Sequence, residues 1–423
     1  MLDINHLRNN FDVVSERIKS RNKDYPALKQ FKVIDQNWRR LTSNIQNLNT
    51  ERNALTQQIS SLIKDKKTNE VNEVRSKVQY IKQEIAKLES ELTLVNAELN
   101  TILYSIPNVP HKSVPIGKDE TQNKEIRKWG KPRKFDFEFL PHWLLAEKRK
   151  LIDFERAAKI SGSRFVIYRE DGAKLMRALQ WFTLDVNVKA GFCELLPPVI
   201  LNASALVGTG QLPKFEEDIF KLDNGQYLSP TAEVQLTNFY ANEILEESKL
   251  PLWFTANTAC FRSEAGSAGK DTKGVIRQHQ FYKTEMVMIT KPEESYDSLE
   301  KMTTNAESIL QKLNLPYRVI VLCTGDQGFA ASKTYDIEVW MPSHGGYREI
   351  SSCSNCEDFQ SRNLMLRYRD NNSGKTIYPH TLNGSGLAID RLWAAIVENY
   401  QQTDGSIMIP DALKKYFDGA EKI

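Results

Sequence analysis

The chain has 423 residues, of which 40% are hydrophobic and 26% are charged, and its formal net charge at pH 7 is +3. This length and composition allow two or three domains with a sizeable core, while the small net charge alone identifies no partner. No run of about 18 apolar residues occurs, so we expect no membrane span. The N-terminal residues lack the basic and then apolar profile of a signal peptide. The five cysteines have no disulfide-framework spacing, which predicts reduced thiols and a cytoplasmic location.

Residues 28–103 carry a heptad pattern in two parts, separated by the polar run 64–70. Apart from Arg52, the positions spaced alternately three and four apart are apolar: Ile34, Trp38, Leu41, Ile45, Leu48, Leu55, Ile59, Leu62, Val71, Val74, Val78, Ile81, Ile85, Leu88, Leu92, Val95, Leu99 and Ile102. This spacing is typical of a coiled-coil seam, and two seams joined by a short turn predict an antiparallel helical hairpin. A dimerising or purely structural coiled coil is the alternative that periodicity leaves open.

The charge of the first quarter of the chain differs slightly from that of the rest. Residues 1–104 hold 17 Lys and Arg against 13 Asp and Glu, whereas the remainder holds 40 against 41. A basic excess favours a polyanionic partner, but an ordinary charged helical surface explains it equally well.

Pro107 and Pro110 end the second helix because proline cannot continue it, and the polar residues after them predict a linker. Beyond the linker, helical patterns at about 141–160, 172–190, 293–313 and 386–402 alternate with short strand patterns at 192–197, 317–323, 331–340 and 348–351. Irregular spacing between strands favours an antiparallel α+β sheet over a doubly wound one. We therefore divide the chain into a helical arm (1–105), a linker (106–134) and an α+β domain (135–423).

The segment 253–289 predicts two strands joined by a loop that contains Gly266, Gly269 and Gly274. This hairpin carries two arginines, two carboxylates and one aromatic ring that suit ligand binding: Arg262, Arg277, Glu264, Glu285 and Phe281. Arginine forks bind phosphate or carboxylate oxygens, an aromatic face stacks on a base, and a carboxylate accepts from an ammonium group. The set therefore suits a nucleotide together with a small zwitterion.

Two further groups carry oxygen ligands. Thr231 and Glu233 lie on an apparent turn before a helix, where capping of the helix is the simpler explanation. Glu349 and Ser352 end a strand, and such hard oxygens suit Mg²⁺ bound to phosphates, although a polar edge strand explains them equally well.

The segment 384–391 contains two glycines that would let the backbone approach a ligand, and it ends in Arg391 at the start of a helix. A tight turn is the plainer interpretation of such glycines. Cys353 and Cys356 have CxxC spacing, but no second ligand pair of the zinc-binding type follows, so we interpret them as structural thiols.

Together these segments resemble the bacterial-type seryl-tRNA synthetases over nearly the whole chain. The matching segments, in chain order, are the N-terminal hairpin, 208–215, 230–234, 261–285, 349–356 and 380–391. Residues 191–198 are similar to class II motif 1, residues 261–285 to motif 2 and residues 384–391 to motif 3. The resemblance implies a class II catalytic domain, an antiparallel sheet flanked by helices, which dimerises through motif 1. It also implies a two-step reaction in which L-serine and ATP form seryl-adenylate, and serine tRNA then accepts the seryl group.

The resemblance assigns a role to each matching residue. Arg262 would bridge the α-phosphate and the serine carboxylate, Phe281 would stack on adenine, and Arg391 would bind the γ-phosphate. The implied nucleotide site is completed by Ser263, Glu264, Glu349, Ile350, Ser351 and Ser352, with Glu349 and Ser352 as Mg²⁺ ligands. The implied serine site, in which Glu285 accepts from the ammonium group, also contains Thr231, Ala232, Glu233, Arg262, Asn383 and Ser385. Arg277 would contact pyrophosphate or the tRNA acceptor end.

By the same resemblance, the arm would lie along the long variable arm of serine tRNA, and selenocysteine tRNA would also be charged where it is present. Two residues depart from the family pattern. Gln235 stands where a proline is usual, and Asp390 stands where a small residue is usual, and we expect Asp390 to pair with Arg391 or a neighbour. The competing interpretations are a synthetase-like amino acid:carrier-protein ligase and a non-catalytic nucleic-acid-binding paralogue. The intact seams argue against the first, and retention of Arg262, Glu285, Glu349 and Arg391 argues against the second.

Overall fold

The structure is a computed structural model that describes residues 1–265 and 273–423. Gly266 and Gly269 of the predicted loop lie outside the described residues. The chain forms two compact units, one of residues 24–106 and one of residues 1–23 together with 107–423.

The α-helices of the described residues are, in chain order, α1 (Ile4–Asn9), α2 (Phe11–Lys19), α3 (Pro26–Lys64), α4 (Thr68–Ser105), α5 (His142–Lys148), α6 (Phe154–Ser161), α7 (Glu170–Lys189), α8 (Ala203–Thr209), α9 (Glu233–Thr237), α10 (Ser295–Lys312), α11 (Phe359–Leu364) and α12 (Ile389–Asn399). None of these helices is both long enough and apolar enough to cross a bilayer.

The strands of the described residues are β1 (Lys124–Trp129), β2 (Ile152–Asp153), β3 (Ile167–Tyr168), β4 (Cys193–Glu194), β5 (Ile200–Leu201), β6 (Tyr227–Leu228), β7 (Ile244–Glu246), β8 (Leu252–Phe261), β9 (Gln280–Thr290), β10 (Tyr317–Val321), β11 (Lys333–Met341), β12 (Gly346–Asn355), β13 (Arg367–Arg369), β14 (Thr376–Ile377) and β15 (His380–Ala388).

The smaller unit is the predicted helical hairpin, made of α3 and α4. Every predicted seam residue is buried or half-buried, which matches the heptad pattern. Pro26 starts α3 at a position where its missing N–H costs nothing, and the turn between the helices contains Lys66 at φ +57°. A hydrogen bond of 2.7 Å from Trp38 Nε1 to Asn96 Oδ1 joins the two helices away from this turn. The hairpin prediction is confirmed.

The larger unit is built on an eight-stranded sheet in the order β1-β10-β11-β12-β15-β9-β8-β4. All neighbours in the sheet are antiparallel except β4 and β8, which are parallel. Helices α7, α10 and α12 pack against the central strands, and their buried side chains, such as Leu179, Leu310 and Trp393, form the main core. Full burial of one such apolar side chain stabilises the fold by about 1.5–3 kcal/mol. The predicted α+β class is confirmed.

Four details of the sequence interpretation differ from the structure. The segment 106–134, which we expected to be a linker, contains β1 at the edge of the sheet, where Arg127 makes a bidentate ion pair with Glu307. Its mostly exposed residues give little apolar signal, which explains the error. The helix expected at 141–160 is divided into α5 and α6 by β2, because Asp153 caps the N-terminus of α6.

The third difference concerns the limits of the arm, which we predicted at 1–105. Residues 1–23 pack with the larger unit, where the buried guanidinium of Arg21 donates to the carbonyl oxygens of Asn108 and Ala331. In addition, the glycines of 384–391 lie within β15 and not in a turn before α12. A Cβ at Gly384 would lie 2.7 Å from Met302 Sδ, so close packing beneath the strand requires glycine there.

Candidate active site

A cavity of about 600 Å³ lies over β9, β12 and β15 of the larger unit. Its wall combines arginine, lysine and carboxylate side chains with two half-buried phenylalanine rings. The residues that line it are Gln211, Phe215, Asp218, Ile219, Pro230, Thr231, Glu233, Arg262, Glu264, Val275, Ile276, Arg277, Gln278, Phe281, Lys283, Glu285, Glu349, Ile350, Ser352, Asn383, Ser385, Ala388, Asp390 and Arg391.

Strand β9 supplies three side chains to the cavity because alternate residues of a strand face the same side. Phe281, Lys283 and Glu285 line the cavity, whereas Thr284 faces the opposite side and meets the Thr183 hydroxyl at 2.7 Å. An aromatic ring, a cation and a carboxylate are thereby placed in a row along one strand. The strand thus extends from the aromatic end of the cavity to its acidic end.

A β-bulge brings Glu349 and Ser352 of β12 to the same cavity. Residues three apart in a regular strand face opposite sides, but the pairing of β11 with β12 shifts by one residue between Glu349 and Ser351. The extra residue restores a common face for Glu349 and Ser352. Without this bulge, one of the two oxygen ligands would point into the sheet packing.

Arg262 and Phe281 form one side of the cavity. The Arg262 guanidinium lies 5.2 Å from the centre of the Phe281 ring, and it makes no ion pair with a described residue. Its backbone is fixed by a hydrogen bond of 2.9 Å from Arg262 N to His279 O across the strand pair. A planar cation beside a half-buried ring that lines the cavity suits an anionic, ring-bearing ligand.

Glu264 and Arg277 form an ion pair of 2.5 Å at the rim of the described hairpin. Glu264 has φ +54°, a conformation unusual for a residue with a side chain, so surrounding contacts must hold it.

Arg391 closes the cavity on the side of β12. Its Nη1 atom lies 2.7 Å from the carbonyl oxygen of Glu349 and 3.3 Å from the carboxylate of that residue, and its Nε donates to Ile276 O at 3.3 Å. The positive charge of Arg391 holds the pKa of Glu349 below its ordinary value. Glu349 is therefore a carboxylate near neutral pH, and its side chain is half exposed towards the cavity.

The acidic end of the cavity is centred on Glu285, which is 1% exposed. The Lys283 ammonium lies 2.6 Å from its Oε2 atom, and the Thr231 hydroxyl donates to the same carboxylate oxygen at 3.1 Å. Two groups already hold Glu285, so its position is fixed before a ligand arrives.

Glu233 lies behind this end and is held by two amides. Gln360 Nε2 donates to Glu233 Oε1 at 2.8 Å, and Asn383 Nδ2 donates to it at 3.1 Å. Burial, and then the nearby charge of Glu285, raises the pKa of Glu233 to about 7. A carboxyl group that changes charge near neutral pH therefore lies beside the small polar pocket.

Most of the residues predicted for the site lie together in this cavity. Those that line it are Thr231, Glu233, Arg262, Glu264, Phe281, Glu285, Glu349, Ile350, Ser352, Asn383, Ser385 and Arg391. Three predicted residues do not line it. Ala232 is packed in an apolar cluster, Ser351 donates to Ser385 O on the opposite face of β12, and the hydroxyl of Ser263 donates to Glu217 O.

The sequence analysis missed Lys283 and Gln360. Lys283 could have been predicted from the alternation of β9, because it lies between Phe281 and Glu285, which the sequence already placed in the site. Nothing near Gln360 in sequence indicates a site, since it lies on α11 and reaches Glu233 only in the folded chain.

The two departures from the family pattern have defined places. Gln235 bridges the carbonyl oxygen of Pro198 and the hydroxyl of Ser229, so its amide satisfies backbone and side-chain groups on two segments. Asp390 does not pair with Arg391, contrary to one of the two expectations. It accepts hydrogen bonds from Tyr168 Oη (2.6 Å), Gln278 Nε2 (3.0 Å) and Tyr282 N (2.7 Å), and its burial raises its pKa to about 6.

Glu349 and Ser352 are the cavity residues best suited to a divalent cation, and Asp336 lies on the paired position of β11 beside Ser352. Asp336 Oδ1 is buried and has no hydrogen-bond partner in the described part of the chain. These hard oxygens fit Mg²⁺. Among the described residues no three His, Cys, Asp or Glu side chains form a ready metal cluster, so phosphate and water oxygens would have to complete the shell.

Comparisons with known proteins give a consistent result. The model for the seryl-tRNA synthetase N-terminal domain matches residues 1–110, and that for the class II core domain of the G, H, P, S and T synthetases matches residues 215–400. The serine--tRNA ligase of Malacoplasma penetrans is 54% identical over 98% of both chains, and that of Geobacillus kaustophilus is 52% identical over the full length of both.

Solved structures extend the comparison to the fold. The seryl-tRNA synthetase of Pyrococcus horikoshii, complexed with ATP, has a TM-score of 0.95 and 38% identity, covering 100% of this chain and 99% of its own. The cytoplasmic serine-tRNA ligase of Naegleria fowleri, in complex with AMP, has a TM-score of 0.90 and 27% identity, covering 100% and 98%. The arginine-lined cavity, the helical hairpin and these full-length similarities lead to one conclusion: the chain belongs to the seryl-tRNA synthetase family.

Proposed function

We propose that this chain ligates L-serine to serine tRNA, with ATP as the second substrate and seryl-adenylate as the intermediate. The observation that carries the proposal is the continuity of one cavity from the Arg262 and Phe281 pair to the Glu285 carboxylate. A nucleotide and a small amino acid can meet in such a cavity with Arg262 between them. Membership of the family and full-length identity to serine--tRNA ligases support the same reaction.

The nucleotide would occupy the side formed by Arg262, Phe281 and Arg391. Phe281 lines the cavity and offers a ring face for adenine, and the two guanidinium groups approach from the residue after β8 and from α12, which suits phosphates lying between them. Catalysis by such a site consists mainly of holding the serine carboxylate in line with the α-phosphate and neutralising the developing charge. The nucleophiles belong to the substrates, so no protein nucleophile is required.

Serine would occupy the acidic end. Glu285 would accept from the ammonium group, and the hydroxyl would meet Thr231, Glu233, Asn383 and Ser385. A pocket whose polar groups pair with a hydroxyl rejects alanine, because those groups would remain buried and unpaired. Gln360 would support this selection by holding Glu233 in place.

Mg²⁺ would be held by Glu349 and Ser352. When bound, the ion would neutralise phosphate charge and orient the leaving pyrophosphate. The protein's own part is to keep Glu349 ionised through Arg391 and to keep both oxygens on one face through the bulge in β12.

The helical arm would bind the long variable arm of serine tRNA by shape and backbone contacts. The excess of Lys and Arg in residues 1–104 supports this role. Selenocysteine tRNA, where present, would be charged through the same arm.

Dimerisation would use the motif 1 segment 191–198. Its strand β4 lies at an edge of the sheet, where Leu196 is 92% exposed, and α7 exposes Trp181 (53%). An exposed apolar edge of this kind is a candidate interface. We place the enzyme in the cytoplasm because its five cysteines are unpaired. A carrier-protein ligase is disfavoured because the tRNA-synthetase N-terminal domain model matches residues 1–110.

The decisive experiment is ATP–pyrophosphate exchange measured with each of the twenty amino acids, followed by charging of total tRNA. We expect exchange with serine and attachment of serine to serine tRNA. Exchange with another amino acid, or exchange without any charging of tRNA, would contradict the proposal. Size-exclusion chromatography with light scattering tests the dimer in the same preparation.

A further inference from the structure

A histidine outside the cavity is joined to the nucleotide side of the cavity through the backbone. His142, the first residue of α5, is fully buried, and its Nε2 atom accepts a hydrogen bond of 3.1 Å from Val275 N. Its Nδ1 atom lies 2.7 Å from Oε1 of Glu398 on α12. The imidazole therefore connects two helices with the segment 274–278, four residues of which line the cavity. We call 274–278 the return segment.

These contacts fix the tautomer of the ring. Because a backbone N–H can only donate, Nε2 must be unprotonated, and the ring proton must lie on Nδ1 and point to Glu398. Burial opposes ionisation of Glu398, but hydrogen bonds from His142 and Ser343 hold its pKa below its ordinary value. An ionised, fully buried carboxylate thus keeps the imidazole in the one form that can hold Val275.

The chain also leaves space for this ring. Gly274 has φ +76°, and a Cβ at this position would lie 2.1 Å from His142 Nε2. Any other residue would collide with the imidazole in a backbone conformation that side chains disfavour. Gly274 is therefore the residue whose size and backbone conformation leave room for the His142 ring, which indicates a specific contact between the two residues.

The return segment passes this restraint on to the proposed phosphate ligand. One residue after Val275, the carbonyl oxygen of Ile276 accepts from Arg391 Nε at 3.3 Å. The side chain of Gln278 donates both to Val275 O and to Asp390. A shift of Val275 would consequently displace Ile276, Arg391 and the entry to β9, which carries Phe281.

We propose that His142 and Glu398 are positioning residues that set the affinity for ATP by anchoring the return segment. The inference rests on the proposed function, because it takes the Arg262, Phe281 and Arg391 side as the nucleotide site. The serine end rests on different supports, namely Thr231, Lys283 and Asn383. Substitution of His142 or Glu398 should therefore change the affinity for ATP and leave the affinity for serine nearly unchanged.

Two substitutions of His142 distinguish the two hydrogen bonds that its imidazole makes. His142→Asn keeps an amide donor near the Nδ1 position but has no acceptor for Val275 N, whereas His142→Gln places an amide oxygen near the Nε2 position. We expect His142→Asn to raise the KM for ATP about tenfold, as for one lost buried hydrogen bond, and His142→Gln to raise it less. The KM for serine should change less than about twofold in both. Trp143→Phe, which keeps a ring beside Gly274, is the matched control and should leave both KM values unchanged.

The readouts are ATP–pyrophosphate exchange and calorimetric titration of ATP alone, with thermal melting to establish the folded fraction. If His142 had a purely structural role, its substitution would lower the apparent kcat because part of the enzyme would be unfolded, and the KM for ATP would not change. An unchanged ATP affinity in folded His142→Asn, or equal increases in both KM values, would overturn the inference. If His142→Asn does not fold, Gly274→Ala tests the same contact, because its Cβ would displace the His142 ring. Weakened ATP binding by this variant would support the inference, and wild-type ATP binding would refute it. Absence of serine-dependent exchange in the wild type would refute the proposed function alone, since ATP titration still tests the anchor.

Discussion

The helical hairpin is formed by residues that are close together in the sequence, whereas the cavity is formed by residues that are far apart in it. The hairpin is formed within residues 24–106, and its seam residues meet partners in the adjacent helix of the same unit. The cavity combines Thr231, Arg262, Glu285, Glu349 and Arg391, which come from four strands or turns and one helix. A hairpin of this kind follows from a repeated local pattern, whereas the cavity exists only when a particular sheet order and register are formed.

This difference implies a functional division that can be tested. Single substitutions in the cavity should act on the chemistry without altering the hairpin, and removal of the hairpin should spare the chemistry. The four predictions below test this division, from the largest expected effect to the smallest.

Arg262→Ala should abolish serine-dependent ATP–pyrophosphate exchange, with a loss of at least about 10³-fold, because a charge-assisted contact to both substrates disappears. Arg262→Lys keeps the charge without the fork and should recover only part of the activity. Arg369→Ala, an exposed arginine of the separate three-stranded sheet, is the control and should behave as wild type. Near-normal exchange by Arg262→Ala would remove the central role assigned to this residue.

Replacement of residues 30–103 by a short Gly-Ser linker should lower charging of serine tRNA by about 100-fold or more, because the contacts with the variable arm are lost. Exchange should stay within about threefold of wild type, since the cavity belongs to the other unit. Both activities are measured on one preparation, together with a circular dichroism spectrum. Unchanged charging would refute the role of the arm, and parallel loss of exchange would break the division between the two regions.

Gln360→Ala should raise the KM for serine about tenfold, because Glu233 loses the nearer of its two amide donors and only the Asn383 amide remains to hold it. The KM for ATP should not change, since the other hydrogen bonds of Gln360 join Thr209 O and the Thr381 hydroxyl, and neither residue lines the cavity. Gln311→Ala, an exposed glutamine on α10, serves as the control. An equal rise in both KM values would indicate that the two ends of the cavity are not separable.

The KM for serine should fall a few-fold between pH 6 and pH 8, because the Glu233 carboxyl, with a pKa raised to about 7, accepts better when ionised. The same rise in pH that improves serine binding lowers the contribution of Glu233 to folding stability. A carboxyl with a raised folded-state pKa binds more protons in the folded chain, so its contribution favours folding at low pH and is lost as the pH rises from about 4.5 to 7. Glu233→Gln should remove both trends. A wild-type pH profile in this variant would assign the titration to another group.

Prediction from sequence succeeded where a residue type and its neighbours along the chain contain the information. The seams of α3 and α4 and the antiparallel strand pair around Arg262 and Phe281 belong to this class. It failed where exposed residues concealed a strand, as in β1, and where the partner lies far away, as with Gln360 on α11 and Lys283 against Glu285.

The sequence by itself determined the hairpin, the α+β class and the chemical groups available for binding, because heptad spacing and strand alternation are local properties of a chain. The tertiary structure alone decided how those groups converge. The bulge in β12 turns Glu349 and Ser352 to one side, the glycines of β15 allow close packing beneath the strand, and His142 meets the return segment across 133 residues. These features depend on register and long-range contacts, which no local pattern encodes.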